Sequence, residues 1–340
     1  MKEAFLYKKL KDRFVQCLNC AHKCVIPAGK KGTCGVRENN DGNLFALNYG
    51  KIIARNVDPI EKKPLFHFLP GSRAYSVSSL GCNLKCANCQ NYDISQSPKF
   101  ESQVKFWGEE LSPEEIVRDA IREDCASIAY TYTEPTVFLE FALETMKIAR
   151  EKKLKNVWVS NGFMTEQSAE LIIPHLDANN IDIKGFSEDF YRENCGAKLK
   201  PVLDIVKLMK KSGIWIEITT LSIPTLSDSE EMFKGIAKFI KDELGPETPW
   251  HISQFSGEIS WKLKHLPETS VETLERGYRI GKEVGLKYVY TGNVPGLPSE
   301  NTICPNCNTL SIRRLGYFIE RFDNEGKCSK CGTDLNIILS

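Results

Sequence analysis

The stretch Tyr75–Gln90, which reads YSVSSLGCNLKCANCQ, decides the fold of this chain. Its first six residues have the apolar character of a buried strand, and Gly81 then permits a sharp turn. Three cysteines follow, separated by three and two residues. Enzymes built on barrels of parallel strands place their active sites where the strands end. The stretch therefore predicts a thiolate-ligated metal site at the mouth of an α/β barrel.

From this stretch onward, apolar runs alternate with helical patterns, which is typical of parallel strands joined by crossover helices. Ser112–Glu115 opens one helix with a capping box and a proline at its first position. No Gly-x-Gly-x-x-Gly element occurs, so a partial (β/α)6-type TIM barrel is favoured over a nucleotide-binding doubly wound sheet. The further predicted strands cover residues 126–131, 156–160, 181–185, 214–221, 249–255 and 286–292.

Length and composition suit an α/β barrel with smaller appendages. The 340 residues are 41% hydrophobic and 26% charged, which excludes a disordered or collagen-like chain. We predict a cysteine-rich segment over 1–72, the barrel over 73–299 and a zinc-ribbon-like module over 300–340. The net charge of +1 gives no electrostatic case for nucleic acid, and no apolar run approaches the roughly 20 residues of a membrane helix. Neither nucleic acid nor a membrane is therefore a predicted partner.

Eleven of the thirteen cysteines fall into three groups. Such close spacing indicates metal binding in a reducing compartment. Because the sequence also starts without a secretory signal, we predict a cytoplasmic protein. The two remaining residues, Cys125 and Cys195, are predicted to pack as small apolar side chains, with a substrate contact as the alternative for Cys195. The groups are Cys17, Cys20, Cys24 and Cys34; Cys82, Cys86 and Cys89; and Cys304, Cys307, Cys328 and Cys331.

The last group has the spacing C-x2-C-x20-C-x2-C, in which two knuckles present four thiolates to one structural zinc ion. A small hairpin turning at Asp323–Gly326 is predicted between the knuckles. Five basic and four acidic residues from position 301 onward favour a cap or docking module over an RNA-binding ribbon. The first group, C-x2-C-x3-C-x9-C, fits zinc or a second iron–sulfur cluster, and His22 is an alternative ligand.

The middle group, Cys82-x3-Cys86-x2-Cys89 after a strand, resembles the signature of the radical S-adenosylmethionine superfamily. The resemblance implies that these cysteines are catalytic and hold a 4Fe–4S cluster whose fourth iron is chelated by S-adenosylmethionine. One electron from a ferredoxin- or flavodoxin-like donor then yields a 5′-deoxyadenosyl radical that abstracts hydrogen from a substrate. Asn88 departs from the aromatic residue that many members carry there. The open alternative is a structural zinc site that lacks one ligand.

The same resemblance assigns cofactor-binding roles to polar residues at the predicted strand ends. Thr133 and Glu134 look like a variant of the Gly-Gly-Glu motif that binds the amino group of S-adenosylmethionine. The pair Asp182 and Lys184 resembles the Asp-x-Lys of the pyruvate formate-lyase activating enzymes. Asn161 and His251 complete the candidate set. The structural alternatives are a strand-ending turn at Glu134, an ion pair inside the barrel for Asp182 with Lys184, and a buried structural role for His251.

Nearly the whole chain resembles the radical enzyme of the AmmeMemoRadiSam system, a relative of the pyruvate formate-lyase activating enzymes. That resemblance implies partners of the AMMECR and Memo types, and leaves the substrate open. Activation of a glycyl radical enzyme is one alternative, and a non-catalytic metal-binding adaptor is another. The segments that carry the resemblance include Asp58–Pro64, His67–Gly71, Cys89–Asn91, Ile94–Gln96, Tyr132–Thr136, Asp182–Phe186, Pro249–His251 and Thr291–Val294.

Overall fold

A computed structural model of the chain describes residues 1–100 and 108–340. The strands are β1 (Lys2–Glu3), β2 (Tyr7–Lys9), β3 (Val15–Cys17), β4 (Val25–Ile26), β5 (Arg37–Asn40), β6 (Asn43–Ala46), β7 (Lys51–Pro59), β8 (Arg73–Ser79), β9 (Glu109–Glu110), β10 (Ser127–Tyr130), β11 (Lys155–Ser160), β12 (Ala178–Asp182), β13 (Trp215–Ser222), β14 (Trp250–Gln254), β15 (Val289–Gly292), β16 (Thr302–Ile303), β17 (Leu310–Leu315) and β18 (Phe318–Arg321). The helices are α1 (Tyr92–Phe100), α2 (Pro113–Arg122), α3 (Leu139–Glu151), α4 (Glu166–Ile172), α5 (Glu188–Phe190), α6 (Leu199–Lys211), α7 (Glu230–Phe239) and α8 (Val271–Val284).

The central sheet has nine strands in the order β15-β14-β13-β12-β11-β10-β8-β7-β9. Strand β8 and strands β10 to β15 are parallel and adjacent in chain order, whereas β7 pairs antiparallel with β8. Crossover helices join the parallel strands, as the alternating sequence pattern predicts. The predicted α/β class with a partial barrel of parallel strands is confirmed.

Strand β12 begins at Ala178, three residues before the predicted start at 181. The prediction of this start was wrong because the first half of the strand contains Asn179 and Asn180, and asparagine is more typical of turns than of strands. Both are buried, and their side-chain amides donate to Met209 Sδ at 3.0 Å and to the Pro64 carbonyl at 2.7 Å. These hydrogen bonds to residues distant in sequence offset part of the free-energy cost of burying two polar side chains.

Helix α2 begins at the predicted capping box. Ser112 Oγ accepts a hydrogen bond from the Glu115 amide at 3.2 Å, and the Glu115 carboxylate accepts one from the Ser112 amide at 2.8 Å. These two bonds satisfy amides that would otherwise lack a partner at the start of the helix. The apolar face of α2 buries Ile116, Val117 and Ala120 against the sheet, so this helix fixes the outer layer beside β8 and β10.

The cysteine-rich start forms two small sheets, ordered β1-β6-β5 and β2-β3-β4. A buried ion pair attaches them to the barrel, because Nη1 and Nη2 of Arg37 donate to the Glu140 carboxylate on α3, at 2.9 and 2.7 Å. Both side chains are almost fully buried. The Glu140 carboxylate also accepts the Phe5 amide at 3.0 Å, so a single acidic side chain anchors both ends of this segment.

The C-terminal ribbon consists of β16, β17 and β18. Its hairpin turns at residues 316–317 and not at the predicted 323–326, where a separate turn is closed by a bridge between Asn324 and Lys327. Arg314 on β17 is buried and donates to the Phe66 carbonyl at 2.8 Å. The ribbon thereby holds the 64–70 loop against the barrel. None of the described helices is long and apolar enough to cross a membrane.

Candidate active site and metal centres

The loop carrying Cys82, Cys86 and Cys89 leaves the carboxyl end of β8, where the sequence predicts the active site. Gly81 has φ +99°, and a Cβ there would lie 2.6 Å from Val36 Cγ1, so both the turn and the packing require glycine. Backbone bonds fix the loop further along. Lys262 donates to the Ala87 carbonyl at 2.8 Å, and the Lys85 amide donates to the Cys195 carbonyl at 2.9 Å.

The loop thiols are held apart from one another. Leu84 donates its amide to Cys82 Sγ at 3.4 Å, and Cys89 Sγ lies 3.4 Å from Ser95 Oγ on α1. Burial raises the pKa of Cys82 to about 12, so the thiol is protonated at neutral pH unless a metal replaces the proton. The Cys86 and Cys195 thiols share a hydrogen bond, which with burial raises the pKa of Cys86.

Sulfur spacing separates this group from a single-ion site. Among the described residues, the only cluster of three or more Cys, His, Asp and Glu ligand atoms within 4.8 Å of one another belongs to the ribbon cysteines. Thiolates on one tetrahedral zinc ion stand about 3.8 Å apart, given bonds of about 2.3 Å. Thiolates on different irons of a cluster stand farther apart. The wider spacing of Cys82, Cys86 and Cys89 therefore fits a polynuclear iron–sulfur cluster.

Asp182 and Lys184 form an ion pair at the carboxyl end of β12, with 2.7 Å between Lys184 Nζ and Asp182 Oδ2. Burial acts to lower the pKa of Lys184, but the Asp182 carboxylate and then the Cys86 thiol outweigh that effect and raise it, so the cysteine loop is within electrostatic range of the pair. The Asp182 side chain retains 32% exposure, so one carboxylate remains open to a bound molecule. This geometry brings together two of the predicted cofactor-binding residues and one cysteine.

Glu134 is buried, and other residues of the chain satisfy its carboxylate. It accepts hydrogen bonds from Thr136 Oγ1 at 2.6 Å, from Ser160 Oγ at 2.9 Å and from the Asn161 amide at 2.8 Å. Burial raises the pKa of Glu134, while these donors act against that rise. The carboxylate thus joins the ends of β10 and β11 and orients the backbone at Asn161.

Asn161 links β11 to the cysteine loop. Its side-chain amide donates to Asn83 Oδ1 at 2.8 Å and lies 3.8 Å from Cys82 Sγ. Thr133 is fixed on the neighbouring side, where its hydroxyl donates to the Ser79 carbonyl at 2.7 Å. Asn161 therefore contacts the cysteine loop, whereas the Thr133 hydroxyl is engaged with β8, and the cofactor roles of both residues stay predictions.

His251 lies in the other half of the barrel. It is the second residue of β14, and its Nε2 lies 2.7 Å from Glu217 Oε2. The Glu217 carboxylate also accepts the backbone amides of Phe66 and His67, at 2.9 and 2.8 Å. This buried network joins the amino-terminal halves of β13 and β14 to the 64–70 loop. The structure does not bring His251 to the cysteine loop, and its cofactor role stays a prediction.

The ribbon cysteines meet in two close pairs, with 3.6 Å between the sulfurs of Cys304 and Cys331 and 3.5 Å between those of Cys307 and Cys328. These separations match tetrahedral thiolates around one ion of the size of zinc. Hydrogen bonds from Thr333, together with the Cys307 thiol, lower the pKa of Cys331 to about 5. The site is therefore prepared to bind a divalent cation.

The first cysteine group lines a small, largely enclosed cavity that also includes Arg37 and Val137. The sulfurs of Cys17, Cys20, Cys24 and Cys34 are absent from the compact set formed by the ribbon cysteines. His22 does not point into this cavity as a fourth ligand would. Its Nε2 lies 2.8 Å from the Asn83 carbonyl in the loop that carries Cys82, Cys86 and Cys89.

Sequence reasoning missed several residues around the cysteine loop. Lys99 on α1 is one, because its ammonium donates to Gln96 Oε1 at 2.8 Å and to the Leu84 carbonyl. Burial lowers the pKa of Lys99, while the thiols of Cys82 and Cys34 act against that change. No spacing signal marks this residue. The interaction of Cys195 with Cys86 was not predicted either, since 109 positions separate the two in the sequence and Cys195 was expected to pack or to contact a substrate.

Comparisons with known proteins agree with this geometry. The family model described as the radical SAM superfamily matches residues 76–240. An uncharacterized protein of Methanocaldococcus jannaschii is 46% identical over 342 residues and covers 100% of both chains. A solved radical SAM methyltransferase from Sphaerobacter thermophilus has the same fold, with a TM-score of 0.51 at 12% identity, over 68% of this chain and 70% of that one.

Two further relatives carry activating-enzyme names. The pyruvate formate-lyase-activating enzyme of Clostridium pasteurianum is 27% identical over 63% of this chain and 92% of its own length. A Methanocaldococcus jannaschii protein, provisionally named a glycyl-radical enzyme activating enzyme, is 32% identical over 60% of this chain and 82% of its own length. Together with the cysteine loop, these likenesses show that the chain belongs to the radical SAM superfamily, as an enzyme related to the activating enzymes.

Proposed function

We propose that Cys82, Cys86 and Cys89 hold the 4Fe–4S cluster of this radical SAM enzyme, and that Asp182 and Lys184 face the polar end of S-adenosylmethionine. When bound, the cluster supplies one electron for cleavage of S-adenosylmethionine to a 5′-deoxyadenosyl radical. The observation that carries the proposal is the Asp182–Lys184 ion pair at the end of β12, which lies near enough to Cys86 for that thiol to act on Lys184 electrostatically. A zwitterionic ligand finds a cation and a partly open carboxylate there.

The remaining predicted residues have positioning roles in this proposal. Glu134 orients Asn161, and Asn161 in turn holds the cysteine loop through Asn83. The hydroxyl of Thr133 and the imidazole of His251 are both engaged within the protein. We therefore assign them to holding the strands in place around the cofactor. Such residues act by keeping groups that touch the cofactor in a productive geometry.

The test is anaerobic reconstitution with iron and sulfide, followed by dithionite and S-adenosylmethionine. The enzyme is expected to form 5′-deoxyadenosine, and Cys86→Ala is expected to abolish it. Cys125→Ala is the matched control, because that thiol is also buried but bonds only to the Glu123 carbonyl. Equal deoxyadenosine from wild type and Cys86→Ala, or none from wild type with a full iron content, overturns the proposal and favours a non-catalytic adaptor.

We propose that the hydrogen donor is a substrate that this enzyme modifies together with AMMECR-type and Memo-type partner proteins, as in the AmmeMemoRadiSam system. Activation of a glycyl radical enzyme is the second candidate, and the activating-enzyme names of two relatives favour it. Glycine deuterated at the α-carbon in a candidate partner protein separates the two. Deuterium in 5′-deoxyadenosine and a glycyl radical signal support activation. Transfer from another labelled molecule supports direct modification.

We propose zinc for the ribbon site, because its sulfur separations suit one tetrahedral ion. An electron donor of the ferredoxin or flavodoxin class is needed for the reduction. All thirteen cysteines are free thiols, which supports a reducing, cytoplasmic location. The division at residues 72 and 299 belongs to this proposal as well. Zinc analysis of a chain ending at Ser299 tests the ribbon assignment, and an unchanged zinc content contradicts it.

A further inference from the structure

Four cysteines, Cys17, Cys20, Cys24 and Cys34, line one cavity, which we call the N-terminal thiol cavity. We propose that it holds an iron–sulfur cluster and is the point at which electrons enter the enzyme. The part of the proposal that concerns electron entry rests on the proposed function, because the electron must pass on to a cluster at Cys82, Cys86 and Cys89. The occupancy of the cavity by iron stands on its own observations.

The first observation is the spacing of the sulfurs. All four thiols line one cavity, yet no three of their sulfurs lie within 4.8 Å of one another, whereas the four ribbon sulfurs do. A single zinc ion needs its four thiolates about 3.8 Å apart. The chain thus contains a compact four-cysteine site and a wide one. The wide one suits a cluster in which the thiolates bind different iron atoms, rather than one ion that all four share.

The second observation is an unsatisfied donor at the cavity wall. Arg37 lines the cavity and is 1% exposed, and its Nε has no hydrogen-bond partner among the described residues. Burying an N–H group without an acceptor is costly. The other guanidinium nitrogens are engaged by Glu140. A cluster with four thiolate ligands is anionic, so it offers sulfur acceptors and a counter-charge to this group.

The third observation is contact with the catalytic cysteine loop. His22 Nε2 lies 2.8 Å from the Asn83 carbonyl, and a Cβ on Gly81 would lie 3.1 Å from the Cys34 carbonyl. Lys99 stands where thiols of both groups, Cys34 and Cys82, act on it electrostatically. The two cysteine groups therefore adjoin each other through the backbone. An electron that arrives at the first needs to cross only these contacts to reach the second.

The fourth observation is the charge around the cavity. Residues 1–34 contain eight basic and two acidic side chains, in a chain whose net charge is +1. Lys23 and Lys30 are exposed, and Cys24 between them is partly exposed. An acidic one-electron carrier protein is attracted to such a surface. In the step, the carrier loses one electron, the N-terminal cluster gains it and passes it to the catalytic cluster, and no bond or proton changes.

The occupancy test uses the full chain after anaerobic reconstitution. Cys82→Ser/Cys86→Ser/Cys89→Ser is expected to retain about half of the wild-type iron and sulfide, with a reduced-cluster resonance that S-adenosylmethionine leaves unchanged. Cys20→Ser/Cys24→Ser is expected to lose the other half and to keep a resonance that S-adenosylmethionine alters. Cys125→Ala controls for the loss of a buried thiol outside the groups. Zinc is expected to remain at one ion in every variant.

Iron-free protein from the triple variant, or loss of one zinc ion and no iron from Cys20→Ser/Cys24→Ser, overturns the proposal. Should the double variant fail to fold, the triple variant alone decides the question. Failure of the proposed function looks different. The triple variant then still holds its iron, while wild-type protein shows no response to S-adenosylmethionine and forms no 5′-deoxyadenosine.

The entry test compares two reductants. With a reduced flavodoxin-type protein at low salt, Lys23→Glu/Lys30→Glu is expected to slow cluster reduction roughly tenfold. With a small uncharged photoreductant, the rate is expected to stay unchanged. Lys238→Glu/Lys241→Glu is the control, since these exposed lysines lie on and just after α7, which packs on α8. Equal slowing by both pairs, or none by either, refutes electron entry at this surface.

Discussion

Replacing Glu140 by alanine should release the N-terminal segment from the barrel. The Glu140 carboxylate accepts two bonds from Arg37 and one from the Phe5 amide, and its side chain is 1% exposed. Its removal leaves a buried guanidinium without a counter-charge, which costs about 3–5 kcal/mol. Because the lost contacts lie between the segment and α3, most of that cost should appear as local opening.

Hydrogen exchange in β5 and β6 measures this opening. Since about 1.4 kcal/mol corresponds to a factor of ten in an equilibrium constant, amides there are expected to exchange roughly 10²- to 10³-fold faster. Amides of β13 and β14 should be unchanged. Arg37→Met/Glu140→Met should restore most of the protection, because apolar replacement of a buried ion pair removes both desolvated charges.

Glu144→Ala supplies the matched control on the same helix. Glu144 pairs with Lys2 at 2.8 Å, and these side chains are 29% and 41% exposed. A partly exposed ion pair is worth about 1 kcal/mol or less, so exchange should rise less than tenfold. Equal effects of Glu140→Ala and Glu144→Ala would show that burial of the ion pair does not hold the segment. Unchanged exchange in β5 after Glu140→Ala would refute the anchor altogether.

Three further outcomes are expected. Lys184→Met should weaken S-adenosylmethionine binding about tenfold or more, as loss of a charged contact does, with iron content unchanged; equal binding removes Lys184 from the site. Cys328→Ser should release one zinc ion and expose the 64–70 loop to protease; retained zinc contradicts the assignment. Burial lowers the pKa of His67 to about 4, so unfolding binds a proton, and stability should fall as pH drops from about 6.5 to about 4. The urea midpoint of His67→Asn should vary less over that window, and parallel curves would refute the linkage.

The alternating strand pattern was sufficient to predict the barrel, and the cysteine spacing to predict a cysteine loop at the end of its first parallel strand. Both are local signals, since Cys82–Cys89 lies within one loop and each strand is a continuous apolar run. The start of β12 was missed because Asn179 and Asn180 obtain their hydrogen bonds from distant residues. A local sequence pattern does not show that a polar side chain will be buried and hydrogen-bonded to a residue far away in the sequence.

The candidate site was predicted unevenly for the same reason. Asp182 and Lys184 share one strand end, so their pairing follows from strand geometry. The surroundings of His251 depend on Glu217 and the 64–70 loop, which lie far away in the sequence. Lys99 reaches the cysteine loop from α1, and its position is fixed by packing alone. Contacts between residues far apart in the sequence produce no periodic pattern of apolar residues, so they could not be predicted.

Because the chain is synthesised from its amino terminus, the 64–70 loop must wait for the ribbon before it can form its native contacts. His67 Nδ1 donates to the Leu335 carbonyl at 3.0 Å, across a sequence separation of 268, and the His67 carbonyl accepts a hydrogen bond from the Ile338 amide at 2.8 Å. Contacts of such long range form late, because loop-closure entropy must be overcome first. The amino-terminal side of the barrel therefore stays open until the segment that contains Leu335 and Ile338 is synthesised. Translation of the ribbon is in effect the final step of barrel assembly.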